Sequence, residues 1–474
     1  MDQQTNYDFC VIGAGAGGLV VTYVAAKLGL KVALIENNKM GGDCLNYGCV
    51  PSKSLLSVAK HVDACRHLDV FGLQPCSPTV DYQKIAEYVQ QVIKKIEPHD
   101  SVERFEGLGA TVIKGSPQFI SKNIIKVNDQ EIKAKYIVIA TGSRASVPPI
   151  PGLDSVPYLT NETIFDLTKA PTHLLVIGAG PIGVEMAQAQ LMLGTPVTLL
   201  DMAAMLPKDD PDAVAIVRAR MEKQGLVLKE KIAIDRVEQV DGVITLHYTE
   251  NKEPKTVSGS HLLVAAGRVA NVEGLELEKA GVDYDNHRIK VDSRLRTSNT
   301  RIYAIGDVSG GPQFTHVAGY QAGIVVRNAI FKMPAKVNYS ALPWVTYTEP
   351  ELAQVGMTEL MAQQEKIEYK VTTMTLDDID RYQAEAATEG FIKILTDKKG
   401  RVLGVTAVGQ LAGELLLPWC LMIQNGLRLG KMTELIAPYP TRSEASKRVA
   451  GSYFDPILFT DRTRKVVKWL FKLF

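Results

Sequence analysis

Apolar and polar positions alternate along this chain in patterns that can be read as strands, turns and helices. From Tyr7 the run Tyr-Asp-Phe-Cys-Val-Ile is almost continuously apolar, as in a strand covered on both faces. It breaks at Gly13-Ala-Gly15-Ala-Gly-Gly18. LVVTYVAAKLGL then reads as a helix, and Lys31-Val-Ala-Leu-Ile-Glu36 as a second buried strand. The same unit recurs: HLLVI leads into Gly178-Ala-Gly180-Pro-Ile-Gly183, VEMAQAQLMLG is helical, and PVTLLD ends at Asp201. Gly13 to Glu36 and Gly178 to Asp201 are both 23 residues. From Ala341 onward strand-like and helical patterns alternate, and GFIKILTDKKGRVLGVTAVG predicts a hairpin around Lys398-Lys-Gly400.

The glycine spacing has a physical reason. The first glycine makes a tight turn, the second lets a pyrophosphate approach the backbone, and the third lets helix and strand pack closely. The helix N-terminus offers unpaired N–H groups to phosphates, and the acid accepts from ribose hydroxyls. Two copies, each between a strand and a helix and each at the same distance from an acid, predict two dinucleotide sites. Two different dinucleotides imply electron transfer between them. A carboxylate at Asp201 repels a 2′-phosphate, and Met202-Ala-Ala-Met-Leu206 supplies no arginine to receive one, so NADH is favoured over NADPH; Lys208 is the nearest base.

Composition narrows the class. The chain has 474 residues, enough for more than one core, with 46% apolar and 22% charged residues. Lys plus Arg is 53 against 52 for Asp plus Glu, so no global field gathers nucleic acid. The mean hydropathy of +0.01 and the lack of any 18-residue apolar run argue against a membrane-spanning chain. The amino-terminal residues show no leader pattern, and six cysteines are too few for a secreted disulfide scaffold, so the cytoplasm is the expected compartment.

After the first unit comes Gly41-Gly-Asp-Cys44-Leu-Asn-Tyr-Gly-Cys49-Val-Pro-Ser-Lys53. Two cysteines five apart, leading into a helix, can close a small disulfide loop, and helix N–H groups with a nearby lysine lower a thiol pKa. The alternatives are two inert buried thiols or half of a zinc site, but no matching Cys/His pair occurs elsewhere. Beside a dinucleotide turn the redox reading is the stronger one.

At these residues the chain resembles the class I flavin-dependent pyridine nucleotide–disulfide oxidoreductases, from about Tyr7 to about Ala450. The resemblance includes Tyr136-Ile-Val-Ile-Ala-Thr141-Gly142, Leu262-Leu-Val-Ala-Ala-Gly267-Arg268, Thr300-Arg-Ile-Tyr-Ala-Ile-Gly306-Asp307, Phe314-Thr-His-Val-Ala318 and Thr348-Glu-Pro-Glu-Leu-Ala-Gln-Val-Gly356. It implies an α/β fold with two Rossmann-like dinucleotide-binding domains, for FAD and NAD(P), plus an α+β dimerisation domain. The FAD domain is split over 1–147 and 277–338, the NAD(P) domain is 148–276, the dimerisation domain is 339–455, and 456–474 is a tail.

The resemblance also implies roles. FAD lies on Gly13, Gly15 and Gly18, with Glu36 on the adenosine ribose and Asp307 near the ribityl and pyrophosphate; Gly115, Thr141, Gly142 and Gly267 join this cofactor set. Gly178, Gly180, Gly183 and Asp201 take the nicotinamide dinucleotide. Cys49 is the charge-transfer thiol against the flavin, and Cys44 the interchange thiol that meets the acceptor. Lys53 sits near the flavin, paired with Glu185. The protein is a homodimer whose partner completes each active site.

One run departs from the family. Where disulfide-reducing members carry His-Pro-Thr-x-x-Glu, this chain reads Tyr439-Pro-Thr-Arg-Ser-Glu444. Tyrosine, with a pKa near 10, is a poor proton shuttle at neutral pH but can donate a hydrogen bond or help hold a soft cation. Mercuric reductases also have tyrosine in this region, though they pass the ion through a carboxyl-terminal cysteine pair and the last cysteine here is Cys420. The acceptor, a small molecule, a metal ion or a protein, therefore stays open; dihydrolipoamide dehydrogenase activity and a membrane-associated flavin redox partner with a quinone or protein acceptor are the alternatives. No resident metal is expected. His316 reads as a packing or flavin-contact residue, and Trp344 and Trp419 as core or interface. Cys10, Cys65, Cys76 and Cys420 read as isolated structural thiols.

The tail carries a different pattern. At 100° per residue, Arg464, Lys465, Lys468 and Lys472 fall on one arc; Val466, Trp469, Leu470 and Leu473 fall on the other, widened by Val467, Phe471 and Phe474. This is the pattern of a peripheral anchor at the inner face of a membrane, or of a helix docked on the protein itself or across the dimer.

Overall fold

The computed structural model describes residues 5–473, so Phe474 lies outside the described residues. The described residues form two compact units: 5–59, 79–178 and 233–337 make the first, and 60–78, 179–232 and 338–473 the second.

In the first unit, β1 (Thr5–Ile12), α1 (Ala16–Lys27) and β2 (Val32–Glu36) are followed by two helices, α2 (Gly42–Asn46) and α3 (Cys49–Cys65), of which α3 ends in the second unit. Strands β3 (Thr111–Lys114), β4 (Pro117–Ser121), β5 (Ile124–Val127) and β6 (Gln130–Ile139) complete most of its main sheet. The sheet order is β3-β2-β1-β6-β5-β4, and the strand Ile302–Ala304 pairs with the end of β6. β1, β2, β3, β6 and Ile302–Ala304 pair in parallel, whereas β4 and β5 are an antiparallel flank. Every residue of β2 is buried, as a parallel sheet covered on both faces requires.

Two apolar layers account for that burial. Phe9, Val11, Leu34 and Val138 point to the side packed by α1 and the helix Thr315–Val325. Cys10, Ile12, Ile35 and Ile139 point to the other side, against Phe119, Ile125 and Leu277. Cys10 is fully buried, and loss of hydration drives its thiol pKa up, which makes it the inert structural cysteine expected.

The second copy of the repeat is offset by a constant 165 residues: Gly13 to Gly178, Ala16 to Pro181, Val32 to Val197 and Glu36 to Asp201 are the matching landmarks. Leu174–Ile177 pairs in parallel with His261–Val264, and Val197–Leu200 with Val227–Lys229. The helix Pro181–Leu193 opens on proline, whose missing N–H costs nothing in a first turn. In the second unit an antiparallel five-stranded sheet includes the predicted hairpin, Phe391–Thr396 with Val402–Gly409. Trp419 is fully buried in the core behind it, its indole N–H donating to Ser446 Oγ at 3.0 Å.

The cysteine reading needs one correction. Cys65 and Cys76 do not stand apart: the chain turns after α3, and the Cys76 N–H donates to the Cys65 carbonyl at 2.9 Å. Their separation in sequence hides a pairing that the turn over residues 66–75 creates.

Candidate functional site

Both glycine turns are built by the same contacts. Gly13 has φ +103° and a Cβ there would lie 2.3 Å from the Ala140 carbonyl oxygen; Gly178 has φ +110° and a Cβ would lie 2.4 Å from that of Ala265. Only glycine fits at either point. Glu36 then accepts from Ala14 N–H through Oε2 and from Asn38 N–H through Oε1, both at 2.7 Å. Asp201 does the same with Ala179 N–H (2.5 Å) and Ala203 N–H (2.6 Å). In each copy both oxygens of the acid are thus held by backbone at the strand end.

Gly15 and Gly180 differ from the first glycines. A Cβ at Gly180 would meet nothing within 4 Å, and at Gly15 only Gly42 Cα at 3.9 Å. The protein does not need glycine there for its own packing, as expected where a pyrophosphate is to pass close to the backbone. Glycine-turn cradles, helix N-termini and clamped acids together fit a dinucleotide at each copy.

Further residues of the first unit converge near that first turn. Thr141 and Gly142 are pinned by Asn271: Thr141 Oγ1 donates to the Asn271 carbonyl (2.7 Å), Asn271 Nδ2 returns to the Thr141 carbonyl (2.9 Å), and Asn271 N–H reaches Gly142 O (3.0 Å). Gly115 N–H donates to the Glu36 carbonyl at 3.0 Å. Asp307 accepts from Ser143 Oγ, which in turn accepts from Arg268 Nε at 2.7 Å; Arg268 also pairs with Asp43 at 3.3 Å. Burial pushes the Asp307 carboxyl up, against the Ser143 hydrogen bond and the Arg268 charge. His316 stacks on Phe314 with ring centroids 5.1 Å apart.

The cysteine pair is placed by the first turn. Gly41 N–H donates to the Ala14 carbonyl (2.9 Å), and a Cβ on Gly42 would come within 2.8 Å of Gly15 Cα. Asn46 Nδ2 ties the short helix α2 back to the Met40 and Gly42 carbonyls, each at 2.9 Å. Cys44 sits half-buried on α2, and Cys49 is the exposed first residue of α3. Both are free thiols, and Cys49 Sγ lies 3.2 Å from Thr315 Oγ1. The thiol of Cys49 is lowered to about 6, first by the Cys44 hydrogen bond, then by Thr315 and the Lys53 charge one turn along α3, all against loss of hydration. Cys44 is driven the other way, by its hydrogen bond to Cys49 and by burial. The two thiols are thus shifted in opposite directions, Cys49 down and Cys44 up.

In the second unit, buried Glu185 accepts the Tyr347 N–H at 3.0 Å. Tyr439 is exposed, and its hydroxyl donates to Asp380 Oδ2 at 2.9 Å rather than to Glu444. That hydrogen bond raises the phenol pKa further. Glu444 opens the helix Glu444–Ser452, and its buried Oε2 has no hydrogen-bond partner among the described residues.

No role follows from sequence for Thr315, Asn271, Ser143 or Asp380, and Arg268 enters there only as the end of a resembling run. Their neighbourhood signals were visible in the runs around Thr141, Gly267 and Phe314, but their partners lie far away along the chain.

Comparison with known proteins gives a consistent set of likenesses. The sequence profile described as pyridine nucleotide-disulphide oxidoreductase matches residues 7–322, and that of the family's dimerisation domain matches 342–450. The mercuric reductase of Bacillus cereus is 36% identical over 445 residues, covering 93% of this chain and 70% of that protein. The dihydrolipoyl dehydrogenase of Geobacillus stearothermophilus is 34% identical over 450 residues, covering 93% and 94%. Among solved structures, the HOCl-induced flavoprotein disulfide reductase RclA from Escherichia coli, in a Cu(II) complex, has a TM-score of 0.85 at 26% identity, covering 95% of this chain and 100% of that one.

Proposed function

Because the chain belongs to the pyridine nucleotide-disulphide oxidoreductases, a family of FAD-dependent, NAD(P)H-linked oxidoreductases with a dimerisation domain, we propose that it is an NADH-dependent reductase of a thiophilic metal ion, of mercuric reductase type. The observation that carries this is the pairing of a Cys44–Cys49 dithiol with a tyrosine in place of an acid–base histidine. FAD, when bound, supplies the two-electron couple between the nicotinamide and the cysteines. The rest is done by this chain's own groups.

Cys49 holds a thiolate at neutral pH, and Cys44 holds the proton that leaves when a metal ion binds. Two thiolates five residues apart are soft ligands suited to Hg(II) or to copper. Reducing a disulfide also requires a proton to be returned to the departing thiolate. Tyr439, tied to Asp380 with its phenol pKa raised, is badly suited to that step, whereas a metal ion needs no such proton. Mercuric reductases at 35–36% identity, and the Cu(II) complex of the Escherichia coli neighbour, favour the same acceptor class. Dihydrolipoamide dehydrogenase activity is the second reading, favoured by relatives at 34% identity. The domain limits, the homodimer and the residue roles implied by the family resemblance are part of this proposal. The preference for NADH rests on Asp201, whose carboxylate is fixed at the strand end where a 2′-phosphate would have to sit.

The test is anaerobic NADH oxidation against thiol-complexed Hg(II), Cu(II), lipoamide, glutathione disulfide and a soluble quinone. Metal-dependent turnover that vanishes in Cys49→Ser is the expected result. Lipoamide as the best acceptor overturns the metal reading, and quinone turnover surviving the substitution overturns the dithiol route altogether.

The tail adds a location to this reading. Among the described residues no helix is long and apolar enough to cross a membrane. Asp461–Leu473 is nevertheless a helix whose residues from Arg464 to Leu473 are all exposed, with Trp469 at 59% and Phe471 at 85%. Such an apolar arc beside Arg464, Lys465, Lys468 and Lys472 matches an anionic lipid surface, each basic side chain adding about 1 kcal/mol there. The full chain is expected to sediment with phosphatidylglycerol vesicles at low salt, and a chain lacking residues 462–474 to bind them at least about tenfold more weakly. Equal sedimentation by both forms would remove the membrane from this proposal.

A further inference from the structure

Cys65 and Cys76 form a second thiol pair, away from the first. Cys65 is the last residue of α3, sixteen positions after Cys49, and the chain then passes through a short turn of helix at Leu68–Phe71 before returning. The Cys76 N–H donates to the Cys65 carbonyl at 2.9 Å. This backbone hydrogen bond brings the two residues side by side across the loop, the close approach that a disulfide needs. The Cys65 thiol is raised by lost hydration and then by the nearby Cys76 sulfur. Both cysteines are free; Cys76 is exposed and Cys65 half-buried, so a small molecule reaches the pair from solvent.

The surroundings distinguish this pair from inert core thiols such as Cys10. Residues 66–75 form a loop whose Val70, Phe71 and Leu73 are all more than half exposed. At its start, Arg66 Nη1 donates to the Met192 carbonyl at 2.8 Å, near the end of the helix Pro181–Leu193, and just before it Asp63 pairs with Arg220 at 2.9 Å. The cysteines thus stand at the two ends of an exposed loop anchored at its root.

We propose that Cys65 and Cys76 are a second, reversible thiol–disulfide site whose reactant is a small-molecule disulfide. The Cys76 thiolate attacks one sulfur of the disulfide RSSR; that S–S bond breaks and one RS⁻ departs. Deprotonated Cys65 then attacks the mixed disulfide at Cys76, the Cys65–Cys76 bond forms, and the second RS⁻ leaves. Two cysteine thiols are oxidised to one disulfide, RSSR is reduced to two RSH, and the two cysteine protons end on the departing thiolates. Exposed Cys76 meets the reagent first, and half-buried Cys65 follows as the second nucleophile. In the closed state the loop 66–75 is stapled across its base by a covalent bond; in the open state it is held there by hydrogen bonds, among them the Cys76–Cys65 backbone bond and the Arg66 contact. The site therefore records the redox state of the surrounding thiol pool without using the flavin-linked pair, and the inference holds whichever acceptor the enzyme reduces.

The experiment uses the FAD-loaded full chain, reduced, exposed to graded ratios of reduced to oxidised glutathione, quenched with N-ethylmaleimide and digested with trypsin. Cleavage after Lys60, Arg66 and Lys84 places the two cysteines in separate peptides, 61–66 and 67–84. As the ratio turns oxidising, these peptides are expected as one disulfide-linked species that carries no maleimide. That species disappears in Cys65→Ser and in Cys76→Ser, and it persists in a Cys44→Ser/Cys49→Ser protein. Closure is also expected to slow proteolysis within 66–75 by about tenfold. Maleimide on both cysteines at every ratio, or a glutathione adduct on Cys76 that never resolves to the linked peptides, would overturn the proposal.

Discussion

Replacing Cys49 with serine is expected to lower NADH-driven reduction of the acceptor by about three orders of magnitude or more, with FAD still bound. A serine hydroxyl can neither share a disulfide with Cys44 nor ligate a soft metal as a thiolate. The effect has a pH signature in the unsubstituted protein. Cys49 is lowered to about 6, so its thiolate is present above that pH and is lost as the pH falls through it. Alkylation of the reduced protein by iodoacetamide should therefore rise with pH, with its inflection near 6, and level off near neutrality. Hydrogen bonds to a charged group are worth about 1.5–3 kcal/mol, roughly one pKa unit or more. Thr315→Val, which removes one such bond to the sulfur, should move the inflection upward by about one unit. Cys44→Ala should move it further than Cys44→Ser, because a serine hydroxyl can still donate. An inflection that stays near 9, or an activity that survives in Cys49→Ser, would show that the pair is not the working dithiol.

What could be read from the sequence was whatever is set locally. The glycine turns announce themselves because positive φ and the close approach of Ala140 and Ala265 admit only one residue type. The acids announce themselves because the strand length fixes their distance from the turn, and the constant offset of 165 residues follows from the same geometry being built twice. The hairpin around Lys398-Lys-Gly400 is equally local. What escaped the sequence depends on partners brought together by the fold. Thr315 is 266 residues from Cys49, and Asn271 is 130 from Thr141. The Cys65–Cys76 pairing was missed for a different reason: no period or spacing rule links two cysteines across an irregular loop, although Gly72 and Pro75 between them do mark a turn. Tyr439 stands out in the sequence as a departure from the family run, but its partner, Asp380, comes from another part of the second unit, and only the fold shows that Glu444 does not receive its hydroxyl.

The two glycine turns separate what the fold needs from what the ligand needs. Gly13→Ala puts a methyl 2.3 Å from the Ala140 oxygen in a left-handed backbone, and Gly178→Ala does the same at 2.4 Å from Ala265. Overpacking of about 1–3 kcal/mol and left-handed strain of about 1–2 kcal/mol add to a destabilisation of roughly 3 kcal/mol at either position. Gly13→Ala is expected to be purified without FAD and with a lowered Tm. Gly178→Ala is expected to keep the yellow colour of its flavin but lose nicotinamide binding as its own segment loosens. Gly180→Ala is the discriminating case, because the added methyl meets no protein atom within 4 Å. Its Tm should be almost unchanged, while the Kd for NADH, followed by quenching of protein fluorescence, rises roughly a hundredfold, about 2.7 kcal/mol, since the methyl stands where the pyrophosphate must approach. If Gly180→Ala bound NADH normally, the second glycine turn would not be a dinucleotide cradle. If instead it unfolded like Gly178→Ala, the open space in front of it would belong to the protein's own packing rather than to a ligand.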